Sequence, residues 1–429
     1  MVVSSWKRED ILKMIRENLS ERVFQVFQIC GKVGDKRDTN TFVVGGSVRD
    51  ILLSKPSLDI DIVVEGDGLE YSRALKDEIK GELKTYGTFG TATIKSKDGV
   101  RIDIASARRE EYESPAVLPK VSVGNLKDDM YRRDFTINSM AIALNRKSFG
   151  ELIDLFSGAR DLSRGVVRVL HDKSFEDDPT RIVRAVRFET RLGFRMDEKT
   201  EKLLKNALTS RMLERLTPER KRYEVELAFS EERPDLIAER MRKLNIFGHL
   251  ARGLRGPDKK HVERIQNSIG KFRKSLKPKT WTVYTIAIAD ALPFGQAVAF
   301  ARSLSLPKKQ IQKIIQVKMA KPEVTRLDSD EDIAPSSVYR ILEGLSPEGL
   351  VYMYSLAKKE IAKKRIEEHI KNYRTKRILI TGDDIKRLGI SEGPIFSTIL
   401  EKVLDARVDG VVGSYEDEME LAKKIVEVS

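Results

Sequence analysis

The sequence predicts an α+β chain, a small mixed-sheet head followed by a long all-helical portion. Three observations predict it. Between about residues 41 and 156, short apolar runs of period two alternate with helical stretches. Beyond about residue 160 helical periodicity takes over, and β-branched alternation survives only in short pieces at 166–169 and 378–380. Pro and Gly breaks near 218, 256–257, 278, 307, 322, 335, 347 and 394 divide that region into many helices. A chain of 429 residues exceeds one ordinary core, so about two to four domains are expected.

Taken in order, residues 5–30 have helical spacing and read as an extension ahead of the first strand. Strands are expected at 42–44, 59–64, 91–94, 101–105 and 141–144. The first runs into Gly45-Gly46 and then SVRDILL, a helical stretch. Such a turn brings backbone N–H groups close to a phosphate, and the helix behind it favours negative charge. The second strand carries Asp59 and Asp61, which period two places on one face, with Ile60, Ile62 and Val64 on the other. Two carboxylates this close suit a hard divalent cation whose shell is completed by substrate phosphates. Each piece alone has a plainer reading, since D-x-D also occurs on solvated edges and Gly-Gly in simple turns.

The composition narrows the setting. Lys and Arg total 79 against 66 Asp and Glu, a formal charge of +13. On charge alone, a polyanionic partner and a merely basic surface are equally good readings. A single Cys30 excludes an intramolecular disulfide framework and fits a reducing cytoplasm. No run is apolar and long enough to span a bilayer, and the N-terminus lacks a signal-peptide core, so a soluble protein without membrane association is expected.

Further motifs extend the chemistry. Asp103, in VRIDIA, is a third strand carboxylate, the complement that two-metal phosphoryl transfer needs to share a metal and draw a proton from a hydroxyl. A salt-bridged surface Asp is the alternative there. YRRDFTINSMA (131–141) sets Arg132 and Arg133 beside Asp134 and Asn138, combining phosphate-binding forks with partners for a ribose hydroxyl. In FEDDPTRIVRAVRFETRLGF (175–194), Pro179 suits a first helical turn with Asp177 or Asp178 ahead of it. Arg181, Arg184, Arg187 and Arg191 then form a stripe opposite Ile182, Ala185, Val186 and Leu192. Asp178 and Arg181 together offer an acceptor and a fork of donors to a base edge. His171-Asp172 hints at a metal phosphohydrolase, but the four histidines are scattered and lack ligand spacing.

GGSVRD, DIDIVV, RRDFTINSMA, DLFSGARDL and DDPTRIVRAVRFETRLGF, in this order and spacing, resemble the head and neck signatures of class II tRNA nucleotidyltransferases, which bacterial poly(A) polymerases share. LTPERKRYEVELAF (216–229) is a weaker match to the following neck motif, and TGDDIKRLGISEGPIFSTILEKVLDARVDG (381–410) is similar to the tail of CCA-adding members. The resemblance implies a polymerase-β-like head at 38–158 after an N-terminal extension at 1–37. It further implies a neck at 159–229, a body at 230–330 and a tail at 331–429.

Residue by residue, the resemblance implies that Asp59 and Asp61 hold a two-ion Mg²⁺ site, with Asp103 in the place of the third acid. Gly45, Gly46 and Arg49 lie where the triphosphate is held, and Arg133, Asp134 and Asn138 in the ribose-selecting motif. Asp178 and Arg181 match the amino-acid template for CTP or ATP, with Arg184 and Arg187 along the same nucleotide-binding helix. The usual Glu-Asp opening of that template is Asp177-Asp178 here, which keeps an acid. The implied activity is addition of C and/or A to the tRNA 3′ end without a nucleic-acid template. CC-only, A-only and poly(A) addition stay open, as does an RNA-binding module with an inactive head. The uninterrupted segment 105–131 leans against CC-only addition. Basic stretches at 258–279, 307–321 and 358–377 are expected to grip the acceptor and TΨC region of tRNA, or to be solvated helix faces. No obligate protein partner is evident.

Overall fold

The computed structural model describes residues 6–55, 59–87, 90–390 and 393–428. The chain forms two compact units, residues 1–220 and 221–429.

The first unit is built on a seven-stranded mixed sheet. Its strands are β1 (Thr41–Val44), β2 (Asp59–Val64), β3 (Glu82–Tyr86), β4 (Thr91–Lys95), β5 (Arg101–Ser106), β8 (Ala141–Ala143) and β9 (Leu152–Ile153). Their order is β3-β4-β5-β2-β1-β8-β9. Among the described residues of this sheet only β2 and β5 run parallel; every other neighbour is antiparallel. The strands β6 (Arg108–Glu111) and β7 (Lys120–Val123) make a separate hairpin.

One face of the sheet is a core. Ile60, Ile62, Ile94, Ile102 and Ile104 are buried there, and the amphipathic helix α4 (Gly68–Ile79) packs on β4 and β5. The other face carries the carboxylates of β2 and β5. Towards β1 and β8 that face is closed by Phe42, Val44, Val63, Leu126 and Met130, the last two from α5 (Leu126–Tyr131). Towards β3 it stays open.

Helices α1 (Arg8–Asn18) and α2 (Glu21–Lys36) precede β1. The segment read as an extension is therefore built into the first unit. Val26, Phe27 and Cys30 of α2 are buried, and burial pushes the Cys30 thiol up to about 12. The Tyr71 hydroxyl donates to the Cys30 carbonyl at 2.7 Å. A Cβ on Gly31 would lie 1.8 Å from the Leu144 carbonyl oxygen, so only glycine lets α2 lie this close to the strand end.

After the sheet come α6 (Gly158–Ser163), α7 (Ser174–Asp177), α8 (Thr180–Leu192), α9 (Glu198–Thr209) and the start of α10 (Pro218–Ser230), with α3 (Gly46–Leu52) inserted between β1 and β2. The apolar piece expected at 166–169 forms the short strand β10 (Val166–Val167), parallel to β11 (Arg195–Met196).

The second unit is helical, from α11 (Pro234–Lys243) to α22 (Tyr415–Val428). Pro234, Pro335, Pro347 and Pro394 each stand in a first helical turn, where a missing N–H costs nothing. Pro322 departs from the expected break, because it lies inside the last turn of α16 (Lys308–Val324). The piece at 378–380 is no strand either. The Leu379 and Ile380 N–H groups donate to the buried Glu418 carboxylate at 2.6 and 3.0 Å instead of to a neighbouring strand. Ile380 joins Ile385, Ile399, Val403 and Ala422 in a C-terminal core.

Gly31→Val should destabilise the first unit by about 2 kcal/mol or more through overpacking. Chemical denaturation monitored by circular dichroism checks this, and an unchanged midpoint would refute the close docking of α2.

Candidate nucleotide and metal site

The site is assembled where β2, α3 and α8 converge. Gly45 has φ +69° and ψ −130°, a conformation an L side chain rarely adopts, and a Cβ there would meet an Arg133 guanidinium nitrogen at 2.4 Å. The Gly-Gly turn thus clears room for Arg133. Ser47 then fastens α3 to the carboxylate strand. Its hydroxyl donates to the Asp59 carbonyl at 3.2 Å and accepts the Asp61 N–H at 3.1 Å.

Asp59 and Asp61 both project to the open face of β2, and Asp103 stands beside Asp61 in the β2–β5 register. The Asp61 carboxyl is pushed up, first by surrounding protein and further by Asp103 and Asp59, while Arg133 and Arg101 oppose. A divalent cation would relieve that accumulation of negative charge, so these residues fit one. Among the described residues no group of three His, Cys, Asp or Glu forms a metal cage. Mg²⁺ needs none, since it binds through one or two carboxylates with substrate phosphates and water making up the shell. Asp103 also accepts a hydrogen bond from Thr93 at 2.5 Å and pairs with Arg101 at 3.1 Å.

A chain of buried polar groups runs from α3 to α8. Arg49, 4% exposed, binds the Asp50 carboxylate through Nε and Nη2 at 2.9 and 3.0 Å and donates to the Asn138 side-chain oxygen at 2.6 Å. The Asn138 amide donates to Asp134 at 2.9 Å, and Arg184 forks onto the other Asp134 oxygen at 3.0 and 2.7 Å. Burial alone would raise the Asp134 carboxyl; Arg184 and Asn138 instead hold it below the usual carboxylate range. The Phe188 ring lies against both arginines, 5.2 Å from Arg49 and 5.7 Å from Arg184. A second buried acid, Asp129, is pushed up by burial but held below its usual range by Arg133 and Arg132, which contact it at 2.8 and 2.6 Å.

Beside these groups opens a cleft of about 580 Å³ whose wall, among the described residues, holds eight arginines against four carboxylates. The excess suits a triphosphate. Gly46, Arg49, Asp61, Arg133, Asp134, Asn138, Asp178, Arg181 and Arg184 all reach this wall. Four expected residues do not: Gly45 lies in the turn behind Arg133, Asp103 lines an adjoining cavity, Asp59 stands exposed on the strand, and Arg187 is buried in α8 away from the cleft lining.

At the α8 end, one Asp178 oxygen accepts from the Thr180 N–H and hydroxyl at 3.0 and 2.6 Å and from Arg220 at 2.7 Å. Arg181 is 4% exposed and gives Nη1 to the Ser174 hydroxyl at 2.7 Å and Nη2 to the Arg132 carbonyl at 2.6 Å. It is therefore fixed rigidly at the cleft edge. His171 stacks on Tyr131 with ring centroids 5.0 Å apart, and burial lowers it to about 4, so it is a neutral packing residue.

The sequence reading missed several cleft residues. Arg108 and Glu110 of β6, and Tyr112 just beyond that strand, are spaced two residues apart and all line the cleft. Their i, i+2, i+4 spacing was the available signal. Nothing local marked Ser47, Phe188 or Arg220, whose roles arise from tertiary contacts.

Residues 41–168 match the family model described as the poly A polymerase head domain. The chain is 36% identical to an A-adding tRNA nucleotidyltransferase of Geobacter sulfurreducens, over 98% of this chain and 49% of that protein, so it spans about half of that relative. It is 30% identical to an A-adding tRNA nucleotidyltransferase of Halalkalibacterium halodurans, over 98% of this chain and 96% of that one. The solved CCA-adding enzyme of Thermotoga maritima, complexed with tRNA, superposes with a TM-score of 0.79 at 34% identity, covering 97% of this chain and 98% of that one. A mixed-sheet head with a basic, carboxylate-floored cleft and a helical remainder of this kind is a nucleotidyltransferase. The chain belongs to the tRNA nucleotidyltransferase family.

Replacing Arg184 by Met would leave Asp134 buried without its cation, which should cost about 3 kcal/mol or more. Thermal unfolding of Arg184→Met against Arg184→Met/Asp134→Asn checks it, and the double variant should recover much of the loss. Because Asp134 is held low, its contribution is present above the ordinary carboxylate pKa of about 3.9 and vanishes as pH falls through its lower folded value. The wild-type acid limb should therefore be steeper than that of the double variant.

Proposed function

We propose that the protein extends the 3′ end of tRNA with C and A, completing CCA without a nucleic-acid template, with CTP and ATP as donors. The observation that carries this reading is the cleft itself. It has a carboxylate floor on β2, an arginine-rich wall, and a rigid acceptor–donor pair at the start of α8. CCA-adding enzymes similar to this chain have been solved with CTP and with ATP.

Nucleotidyltransferases work with a divalent metal. Asp59 and Asp61 would hold Mg²⁺ here, as a two-ion site shared with Asp103, where it would neutralise the triphosphate and lower the pKa of the attacking 3′-hydroxyl. The chain's own residues do the rest. Arg49 and Arg133, immobilised by Asp50 and Asp129, present fixed positive charge to the phosphates. Asn138, locked by Arg49 and Asp134, supports the ribose. Asp178, anchored through one oxygen, offers the other to the exocyclic amine that cytosine and adenine share, and Arg181 offers a donor to the ring edge. Arg184 holds Asp134 and so sets this wall, while Arg187 braces α8 from inside the first unit.

We assign residues 38–158 to the head, 159–229 to the neck, 230–330 to the body and 331–429 to the tail, with work in the cytoplasm. Several cations of the basic stretches are taken up internally: Lys313 by Glu348, and Lys318 and Lys321 by Asp290. On α13 (Lys259–Phe272), by contrast, Lys260 and Arg264 are exposed four residues apart, and Lys274 continues that line just beyond the helix. This line would bind tRNA backbone by charge and shape. No helix of the described residues is long and apolar enough to cross a membrane.

A-only addition is the second reading, because the curated relatives that cover nearly all of this chain are named A-adding. Three tRNAs, ending at the discriminator base, after the first C and after the second C, separate the two when given CTP and ATP separately. CCA addition predicts CTP incorporation on the first two and ATP only on the third; ATP incorporation on the third with no CTP incorporation on any would establish A-only addition. Asp61→Ala should lower transfer by at least about a thousandfold while tRNA binding persists. Asp178→Ala should lose base selectivity worth about 1–3 kcal/mol, read as misincorporation of UTP and GTP. Lys260→Glu/Arg264→Glu/Lys274→Glu should weaken tRNA binding and flatten its salt dependence by about two units of log–log slope. An unchanged slope in filter binding would refute the α13 contact.

A further inference from the structure

The carboxylate face of the sheet continues past the cleft towards its β3 edge. Register places Lys84, Thr93, Asp103 and Asp61 side by side across β3, β4, β5 and β2. Arg101, two residues before Asp103, and Tyr86, two residues after Lys84, therefore share this face. Lys84, Tyr86 and Arg101 are exposed, and the Lys84 ammonium lies 5.4 Å from the Tyr86 ring centroid. A cavity of about 420 Å³ opens here, with Tyr86, Thr93, Arg101 and Asp103 in its lining and Asp61 on its border with the nucleotide cleft. A ring beside cations on an open sheet is what single-stranded nucleic acid uses as a stacking platform and backbone track.

Arg101 is also the partner that occupies Asp103. Its Nε lies 3.1 Å from one Asp103 oxygen, and Nη2 donates to the other at 3.2 Å, with the two side chains 50% and 36% exposed. Such a half-exposed pair is weak in water. A phosphate accepts the same guanidinium fork and can replace the carboxylate.

We propose that this open face seats the 3′-terminal nucleotide of the RNA acceptor, with its base against Tyr86 and its phosphate on Arg101. In taking the phosphate, Arg101 leaves Asp103, which becomes free for the metal. RNA engagement thereby completes the carboxylate set. The proposal rests on the nucleotidyltransferase reading, since a nucleoside triphosphate filling the α8-side cleft leaves this side of Asp61 for the acceptor hydroxyl.

The test uses the full-length protein, ATP, and tRNA ending after its second C, unmodified or with a neutral methylphosphonate at its last linkage. Wild type should lose about tenfold in kcat/KM on the modified tRNA, the scale of one charge-assisted contact. Arg101→Gln should show a similar loss on unmodified tRNA and no further loss on modified tRNA, and Arg101→Lys should recover part of it. Mn²⁺ affinity of the RNA-free protein, measured by electron paramagnetic resonance, should rise in Arg101→Gln because Asp103 is released. ATP affinity by equilibrium dialysis should match wild type. Additive losses from the variant and the methylphosphonate, or unchanged Mn²⁺ affinity, would overturn the proposal. Wild-type protein that transfers nucleotide with no methylphosphonate effect would overturn the track alone. Absence of transfer by wild type on every tRNA would overturn the nucleotidyltransferase reading beneath it.

Discussion

The buried Asp134 carboxylate organises the first unit. One oxygen takes the Asn138 amide and the Phe135 N–H, and the other takes the Arg184 fork. Through Asn138 it reaches Arg49 and the α3 turn; through Arg184 it reaches α8. A charge this deep is tolerable only with every partner in place. Sheet, turn and α8 are therefore held in one geometry by the solvation needs of a single acid. The cleft wall is preorganised as a consequence, with Arg49, Asn138 and Arg184 held together before any ligand arrives.

The same economy governs the other charges of the cleft. Asp129 immobilises Arg132 and Arg133, Asp50 immobilises Arg49, and Glu110 accepts from Arg108, Arg132 and Tyr112. Each of these arginines lines the cleft with part of its fork already used, which fixes its position. The β2 strand differs, because burial pushes the Asp61 carboxyl up, with Arg133 and Arg101 working against Asp103 and Asp59.

Much of this was legible in the sequence where the signal is local. Period two located β1, β2, β4, β5 and β8 and put Asp59 and Asp61 on one face. The Gly45-Gly46 turn was visible locally, although the approach of Arg133 that keeps a side chain off Gly45 was not, and the arginine spacing located α8. The hairpin β6–β7 was not found, because RREE carries no apolar residue and KVSV, though it alternates, is a four-residue run that stays exposed. The uniform stripe on α8 was also misleading. Arg184 and Arg191 line the cleft whereas Arg187 turns inward, a distinction set by packing that spacing cannot show. At 378–380 the apolar residues serve a helical core, with Glu418 substituting for the strand partner that β-type spacing implied.

The central claim is that one preformed cleft holds the triphosphate between the β2 carboxylates and the start of α8. A crystal structure with Mn²⁺ and a non-hydrolysable CTP analogue, read by anomalous scattering, tests it most directly. The account predicts manganese peaks at Asp59 and Asp61, the base edge against Asp178 and Arg181, and Asp134, Asn138 and Arg184 in their present contacts. Manganese bound elsewhere, or a base seated away from α8, would contradict it.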